Sequence, residues 1–328
     1  MSERVAIVGA TGAVGREFLT VLEKRDFPLR DLRLLASARS AGRRLTFRGE
    51  EIPVETLGDK SLDGIGIAFF SAGSAVARDL SRRAGASTLI IDNSSAFRMD
   101  DQVPLIVPEV NGEEAGRHHG IISNPNCSTI LFVVAIHPIH IIARIRRAIV
   151  CTYQAVSGAG ARGVESLARE SRNPGKRDPE SVFPHPIADN LIPEVGGVND
   201  SGDTEEEVKM ERETRKILAD PDLRVSSTCV RVPVSRAHSE AIHLELERPL
   251  SRAEAREALK KAKGVELLDD PSAHLYPTPQ RASGQDRVLV GRIRESDVLE
   301  NGLVCFISGD QLLKGAALNA VQIAELLL

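Results

Sequence analysis

Short apolar runs alternate with helix-like stretches through the first third of the chain: VAIVGA from Val5, LRLLAS from Leu32, IAFFSA from Ile67, TLIIDNSS from Thr88, PLIVPEV from Pro104 and IISN from Ile121. The runs are nearly continuous rather than alternating, as strands buried on both faces are, and with intervening helices they predict a parallel sheet with helical crossovers. STILFVVAIHPIHII, directly after Cys127, reads as a buried helix that breaks or ends near Pro138 and closes the first domain. From Arg147 the texture changes. AIVCTYQAVS, DLRVSSTCVRVPV and EAIHLELERP predict longer, half-exposed strands, and LSRAEAREALKKAKG an amphipathic helix, which together make an α+β domain on a mainly antiparallel sheet. KGAALNAVQIAELLL, from Lys314, predicts a helix whose small-residue face packs on a sheet and returns the chain to the first domain. The expected division is therefore residues 1–127 plus 310–328 against 128–309.

Between Arg172 and Asp203 the chain is rich in Pro, Gly, Asp and Asn and is too long for an ordinary connection. It reads as an excursion or arm at a subunit interface. Composition narrows the partners. With 42 Lys plus Arg against 46 Asp plus Glu, there is no positive excess to track nucleic acid or an acidic membrane. Four widely separated cysteines without a CxxC pair fit a reduced, cytoplasmic protein. Neither a charged leader nor a stretch of membrane-spanning length is expected.

GATGAVG, Gly9 to Gly15, follows the first apolar run and opens a helix pattern. Such glycines let backbone approach a pyrophosphate, and the helix start offers free N–H groups, so the loop through Gly9, Thr11, Gly12, Ala13, Val14 and Gly15 predicts a Rossmann-type dinucleotide site. After the second run stands Ser37-Ala38-Arg39-Ser40, where an NAD site often places an acid. A cation with hydroxyls suits the 2′-phosphate of NADP.

Cys151, Cys229 and Cys305 lie in strand-like apolar patterns, as small hydrophobes do. Cys127 differs, because it follows Asn124-Pro125-Asn126 and precedes a helix start, where the dipole favours a thiolate. Backbone N–H groups there and the Asn126 amide suit an oxyanion. A nucleophile beside a nicotinamide suggests acyl transfer coupled to hydride transfer. His238, in Arg236-Ala237-His238-Ser239-Glu240, is the best-placed base. His137 and His140 lack a third ligand, and no metal is expected.

These residues carry a resemblance along nearly the whole chain. Through GATGAVG, SARSAG (37–42), DNSSAFR (92–98), VPEVN (107–111), SNPNCST (123–129), TYQAVSGAG (152–160), RVPV (231–234), AHSE (237–240) and KGAALNAVQIAE (314–325), the sequence resembles aspartate-semialdehyde dehydrogenase. The resemblance implies NADPH-dependent reduction of L-aspartyl 4-phosphate to L-aspartate 4-semialdehyde and phosphate, on the way to lysine, methionine, threonine and isoleucine, by a homodimer or homotetramer. It implies that Cys127 carries the acyl thioester, His238 is the acid/base and Gln154 orients the acyl group. Arg231 would take the α-carboxylate and Glu206 the ammonium, while Arg98, Lys209 and Asn93 would hold phosphate. Thr11 to Val14, Arg39, Ser40, Ser157 and Gly158 would contact NADP. One departure stands out: the family commonly has Asp-Asn-Leu where this chain has Asp310-Gln311-Leu312, so that cofactor contact falls to a longer amide. A malonyl-CoA-reductase-like enzyme on this scaffold, or a non-catalytic paralogue acting as an interaction protein, are the alternatives.

Overall fold

The computed structural model describes residues 3–82, 88–173 and 175–328. Contacts divide the chain into two compact units, Met1–Asn126 with Ala316–Leu328, and Cys127–Gly315. Cys127 and residues 310–315 thus fall in the second unit, because the helix that starts at Cys127 packs on second-unit elements.

The first unit holds strands β1 (Glu3–Val8), β2 (Leu29–Ala36), β3 (Arg44–Phe47), β4 (Glu50–Thr56), β5 (Ile67–Phe70), β6 (Leu89–Asp92) and β7 (Ile121–Ser123) in the order β3-β4-β2-β1-β5-β6-β7. Helices α1 (Ala13–Lys24) and α2 (Ser74–Ser81) make crossovers. The apolar runs are buried on both faces, as their lack of alternation predicts. Ala6, Val8, Ala68 and Phe70 pack against Ala77 and Leu80 of α2, while Phe69 stacks on Phe18 of α1 with ring centroids 4.8 Å apart. Emptying the Phe69 site to Ala would cost about 3–5 kcal/mol. Two readings change. PLIVPEV is no strand: Leu105 only bridges Ser123, and α3 (Pro108–Asn111) starts on a proline that cannot donate to a ladder but suits a first helical turn. The antiparallel β3–β4 hairpin turns through Arg48 and Gly49, both at positive φ. The C-terminal helix, Leu318–Glu325, packs on α1 and β6.

The second unit begins with α4 (Cys127–Ala143), then β8 (Ile145–Gln154), α5 (Ala161–Ser171), α6 (Glu205–Ile217), β9 (Arg224–Arg231), β10 (His238–Leu246), α7 (Arg252–Lys261), β11 (Val265–Leu267), α8 (Pro279–Ala282), β12 (Val288–Ser296) and β13 (Gly302–Gly309). Its mixed sheet runs β11-β12-β13-β10-β8-β9, with β12-β13-β10-β8 antiparallel and β8-β9 and β11-β12 parallel. Contrary to the expected break, α4 continues through Pro138 to Ala143. A proline removes one intrahelical bond, and Ile136 and Ile139, both buried, anchor the helix on either side. Strand β8 alternates: Ala148, Val150, Thr152 and Gln154 are buried, whereas Arg147, Ile149 and Tyr153 point outward. Residues 172–203 form no helix or strand among those described, yet they are organised. At the end of α5 the buried Glu170 carboxylate accepts the N–H groups of Asp178, Ile187 and Ala188 at 3.1, 2.6 and 3.3 Å. Phe183, Ile187 and Ile192 pack with Val156 and Leu167, while Leu191 and Val198 stay exposed.

Candidate active site

In the first unit the glycine loop is sterically demanding. A Cβ on Gly9, at φ +90°, would lie 2.3 Å from the Ser71 carbonyl oxygen, and one on Gly15 would lie 2.2 Å from that of Gly9. Both positions require glycine for the backbone to pass this closely. Thr11, Gly12, Ala13 and Val14 lie at the start of α1, whose Gly12 cap offers no side chain, so N–H groups there remain for an anion. Ser37 begins the 3₁₀ turn Ala38–Ser40, with Arg39 exposed and the Thr11 hydroxyl donating to Ser40 Oγ at 3.2 Å. This cradle fits a dinucleotide phosphate.

Asn93 and Arg98 sit elsewhere in that unit, after β6. The buried Arg98 donates from Nε to the Asn124 carbonyl at 3.0 Å and from Nη2 to the Asn93 carbonyl at 2.8 Å. Asn93 Nδ2 donates to the Phe70 carbonyl at 2.9 Å, and its Oδ1 accepts from Asn124 Nδ2 at 2.9 Å. Asn319 Nδ2 donates to Asn124 Oδ1 at 2.7 Å. This amide relay beneath the turn that ends at buried Asn126 was not read from sequence, although an asparagine inside the apolar KGAALNAV pattern is a signal of one.

The second unit holds Cys127, Gln154, Glu206, Lys209, Arg231 and His238. Cys127 is the first residue of α4 and is partly exposed. Gly315 packs on it, since a Cβ there would come within 3.0 Å of Cys127 Cβ. Beside Cys127 on α4, Ser128 Oγ accepts Gln154 Nε2 at 2.7 Å, and the same nitrogen lies 3.2 Å from Glu206 Oε1. Helix geometry separates the three consecutive glutamates. Glu207 closes a capping box with Thr204 and accepts the Cys229 N–H at 2.9 Å, Glu205 is exposed, and Glu206 turns inward. Lys209, one turn on, places Nζ 3.4 Å from Glu206 Oε2.

Arg231 ends β9 directly opposite Gln154, and its Nη1 donates to the Ala155 carbonyl at 2.8 Å. Burial lowers its pKa, with the nearby Glu206 and Cys127 charges pulling the other way. His238 is fully buried. Its Nδ1 accepts the Ala155 N–H at 3.0 Å, which leaves the proton of the neutral ring on Nε2. Burial first, and then Arg231, holds the imidazole pKa well below 6.5, so the ring is neutral at neutral pH. Nε2 has no hydrogen-bond partner among the described residues. Gly158 leaves room in front of it: a Cβ there would lie 2.8 Å from Arg231 Nη1 and 3.2 Å from His238 Nε2. Ser157 precedes it in the turn Val156–Ala159.

Burial pushes the Cys305 thiol up to about 12 and the Cys229 thiol higher still, so neither is a nucleophile at neutral pH. Gln311 holds its amide inside the protein, bonded to Ser157 and to Ala237. Among the described residues no group of three or more His, Cys, Asp or Glu side chains is placed to hold a metal ion, and no helix is long and apolar enough to cross a membrane.

A dinucleotide cradle on one unit and a cysteine, histidine and arginine on the other fit a nicotinamide-dependent oxidoreductase. Family models agree: "semialdehyde dehydrogenase, NAD binding domain" matches residues 4–118, and "semialdehyde dehydrogenase, dimerisation domain" matches 136–314. The aspartate-semialdehyde dehydrogenase of Synechocystis sp. is 50% identical over 327 residues, covering 99% of this chain and 97% of its own. Among solved structures, aspartate semialdehyde dehydrogenase II from Vibrio cholerae complexed with ASA superposes with a TM-score of 0.95 at 42% identity, covering 100% of this chain and 98% of that one. The Candida albicans enzyme with NADP superposes at 0.77 and 25% identity, covering 100% and 98%. The chain belongs to the aspartate-semialdehyde dehydrogenase family.

Proposed function

We propose that this chain reduces L-aspartyl 4-phosphate to L-aspartate 4-semialdehyde and phosphate with NADPH, through a thioester on Cys127. One arrangement carries the reading: the Gln154 amide reaches both Ser128, next to Cys127, and Glu206, while Arg231 stands near enough to Cys127 to feel its charge. Cys127 Sγ attacks the acyl carbonyl, and the carbon–oxygen bond to phosphate breaks. The Asn126 amide and the N–H groups at the start of α4 favour the oxyanion, and Gln154 orients the acyl group. Arg231 takes the α-carboxylate with its planar fork and Glu206 the ammonium. Lys209, Arg98 and Asn93 serve the departing phosphate. Nicotinamide, when bound, supplies the hydride. His238, neutral with its proton on Nε2, serves as the acid/base by donating a hydrogen bond to the oxygen that gains charge as the thioester is reduced; that oxygen re-forms the carbonyl as the carbon–sulfur bond breaks, releasing the aldehyde and the Cys127 thiolate.

Gly9 to Gly15, with Ser157 and Gly158, would hold the dinucleotide, and Ser37, Arg39 and Ser40 favour NADP over NAD through its 2′-phosphate. The open side of the six-stranded sheet, with Ile149 45% and Tyr153 37% exposed, favours a homodimer in which a second copy covers it. The names of the relatives give no support to a malonyl-CoA reductase or an interaction protein.

The test runs in reverse. Purified protein with aspartate semialdehyde, phosphate and NADP should form NADPH, followed at its absorbance, and Cys127→Ser should lower the rate on the order of 10³-fold or more. Absence of phosphate-dependent turnover in folded protein refutes the reaction, and wild-type turnover in Cys127→Ser removes the thioester. A rate with NAD equal to that with NADP would overturn the Arg39 reading.

A further inference from the structure

The segment 172–203, expected from its composition at a subunit interface, makes contacts inside its own unit that converge on Arg231. Strand β9 is the edge of the six-stranded sheet, and Arg231 is its last residue. Such a strand end frays unless something pairs with it. Gln154 of β8 pairs with Arg231 on one side. On the other, the Ile192 N–H donates to the Arg231 carbonyl at 3.0 Å and the Arg231 N–H to the Ile192 carbonyl at 2.8 Å. Among the described residues no other position of β9 is bridged from that side.

The side chain of Arg231 is held from the same segment. The guanidinium carbon lies 6.0 Å from the centroid of the Phe183 ring. That ring packs with Val156, next to the Ala155 carbonyl that accepts Arg231 Nη1 at 2.8 Å. Helix α5 backs it closely: a Cβ on Gly163 would lie 3.2 Å from Phe183 Cζ and 2.2 Å from the Val156 carbonyl oxygen. Phe183 is pinned along its backbone too, donating its N–H to Ser181 Oγ at 3.3 Å and accepting Arg177 Nε on its carbonyl at 2.9 Å. Meanwhile the guanidinium, nine-tenths buried, has the Ala155 carbonyl as its one hydrogen-bond partner among the described residues and no carboxylate within salt-bridge distance. A fork with donors to spare receives a carboxylate on two bonds only when its plane is fixed.

We propose that Phe183 and Ile192 are positioning residues: they hold the Arg231 guanidinium in the plane that receives the substrate's α-carboxylate, so that segment 172–203 sets affinity for a carboxylate-bearing substrate. The proposal rests on the reading that Arg231 takes that carboxylate, and its test includes a readout that needs no turnover.

Phe183→Leu stays apolar and loses the flat ring. In phosphate-dependent oxidation of aspartate semialdehyde, its KM for the semialdehyde should rise about tenfold. The turnover number and the KM values for phosphate and NADP should stay within about threefold. Independently, iodoacetate and iodoacetamide both alkylate a thiolate, forming a carbon–sulfur bond and releasing iodide, and differ in that one carries a carboxylate. The ratio of their rates at Cys127, followed by mass spectrometry of the Cys127 peptide, cancels changes in thiolate fraction and reports the cation beside the sulfur. It should fall roughly 3- to 10-fold in Phe183→Leu. A segment that merely packs predicts otherwise: lower thermal stability, with the semialdehyde KM and the alkylation ratio both unchanged. That result, or a fall in kcat with no selective rise in the semialdehyde KM, overturns the proposal. If Phe183→Leu does not fold, Phe183→Met, which fills the site flexibly, decides by the same criteria. An inactive wild type refutes the reaction instead, and the alkylation ratio still judges whether Phe183 holds Arg231.

Discussion

The two faces of the six-stranded sheet invert the usual rule. On the inner face, His238, Glu240, Thr152, Gln154, Cys229 and Arg231 are all buried, four of them with titratable side chains. On the outer face, Ile149 and Tyr153 are exposed and Ala241 and Phe306 only partly covered. Burying polar groups is costly unless they find partners. Exposing a contiguous apolar surface is costly unless something covers it. Each face therefore departs from a monomer's optimum in its own way. The inner departure gathers polar groups that are held by their neighbours: Gln154 by Ser128 and Glu206, His238 and Arg231 by the N–H and carbonyl of Ala155. The outer departure leaves the surface that, on the proposed reading, a second copy covers.

Breaking the inner face should give the largest effect. Arg231→Lys keeps the charge but loses the fork, the Ala155 bond geometry and the contact with the Phe183 ring, whose centroid lies 6.0 Å from the guanidinium carbon. Steady-state kinetics should show kcat/KM for aspartate semialdehyde reduced roughly 100-fold, about 2.7 kcal/mol, with the rise in KM larger than the fall in kcat. If KM is unchanged, Arg231 is not the carboxylate site. On the outer face, Ile149→Arg combined with Tyr153→Arg should weaken self-association on the order of tenfold or more, read by sedimentation, while the circular dichroism of the folded chain is kept. An intact dimer would show that the open face is covered by something other than a second copy.

How much of this was legible depended on sequence distance. The glycine loop and Cys127 lie on strand–turn–helix junctions whose geometry is set within about ten residues, so the local pattern suffices. Buried parallel strands were visible for the same reason. Glu206 was harder, because three consecutive glutamates point about 100° apart on a helix and only the packing of α6 selects the inward one. The β3–β4 hairpin escaped notice since Arg48-Gly49 is not one of the common turn pairs. Gln311 and Asn319 depend on pairings across 154 and 195 residues, which no local pattern reports. Family resemblance implies a cofactor contact at Gln311, and the structure adds that its amide is bonded to Ser157 and Ala237.

Glu240 tests the inner face most gently. It lies on β10 two residues after His238, directly opposite Thr152, with Cys229 next across the sheet. Neither carboxyl oxygen has a hydrogen-bond partner among the described residues. Burial, and then the nearby Glu206, raises its pKa well above 4.5. A carboxyl whose folded pKa is raised contributes stability that is fully present below its unfolded value, about 4.3, and is lost as pH rises through the folded value. His238 works in the other direction: its folded pKa is lowered, so its contribution is present above about 6.5 and is lost as pH falls toward the folded value. Glu240→Gln stays neutral at every pH and removes only the alkaline loss. Calorimetry at pH 6 and pH 9 should find the Tm drop between them smaller in Glu240→Gln by a few degrees, about what 1 kcal/mol does in a chain of this size. The acid side, governed by His238, should not move. Equal drops in the two proteins would mean that Glu240 is already ionised at pH 6, and the inner face would then have to contain a buried cation or solvent link serving it.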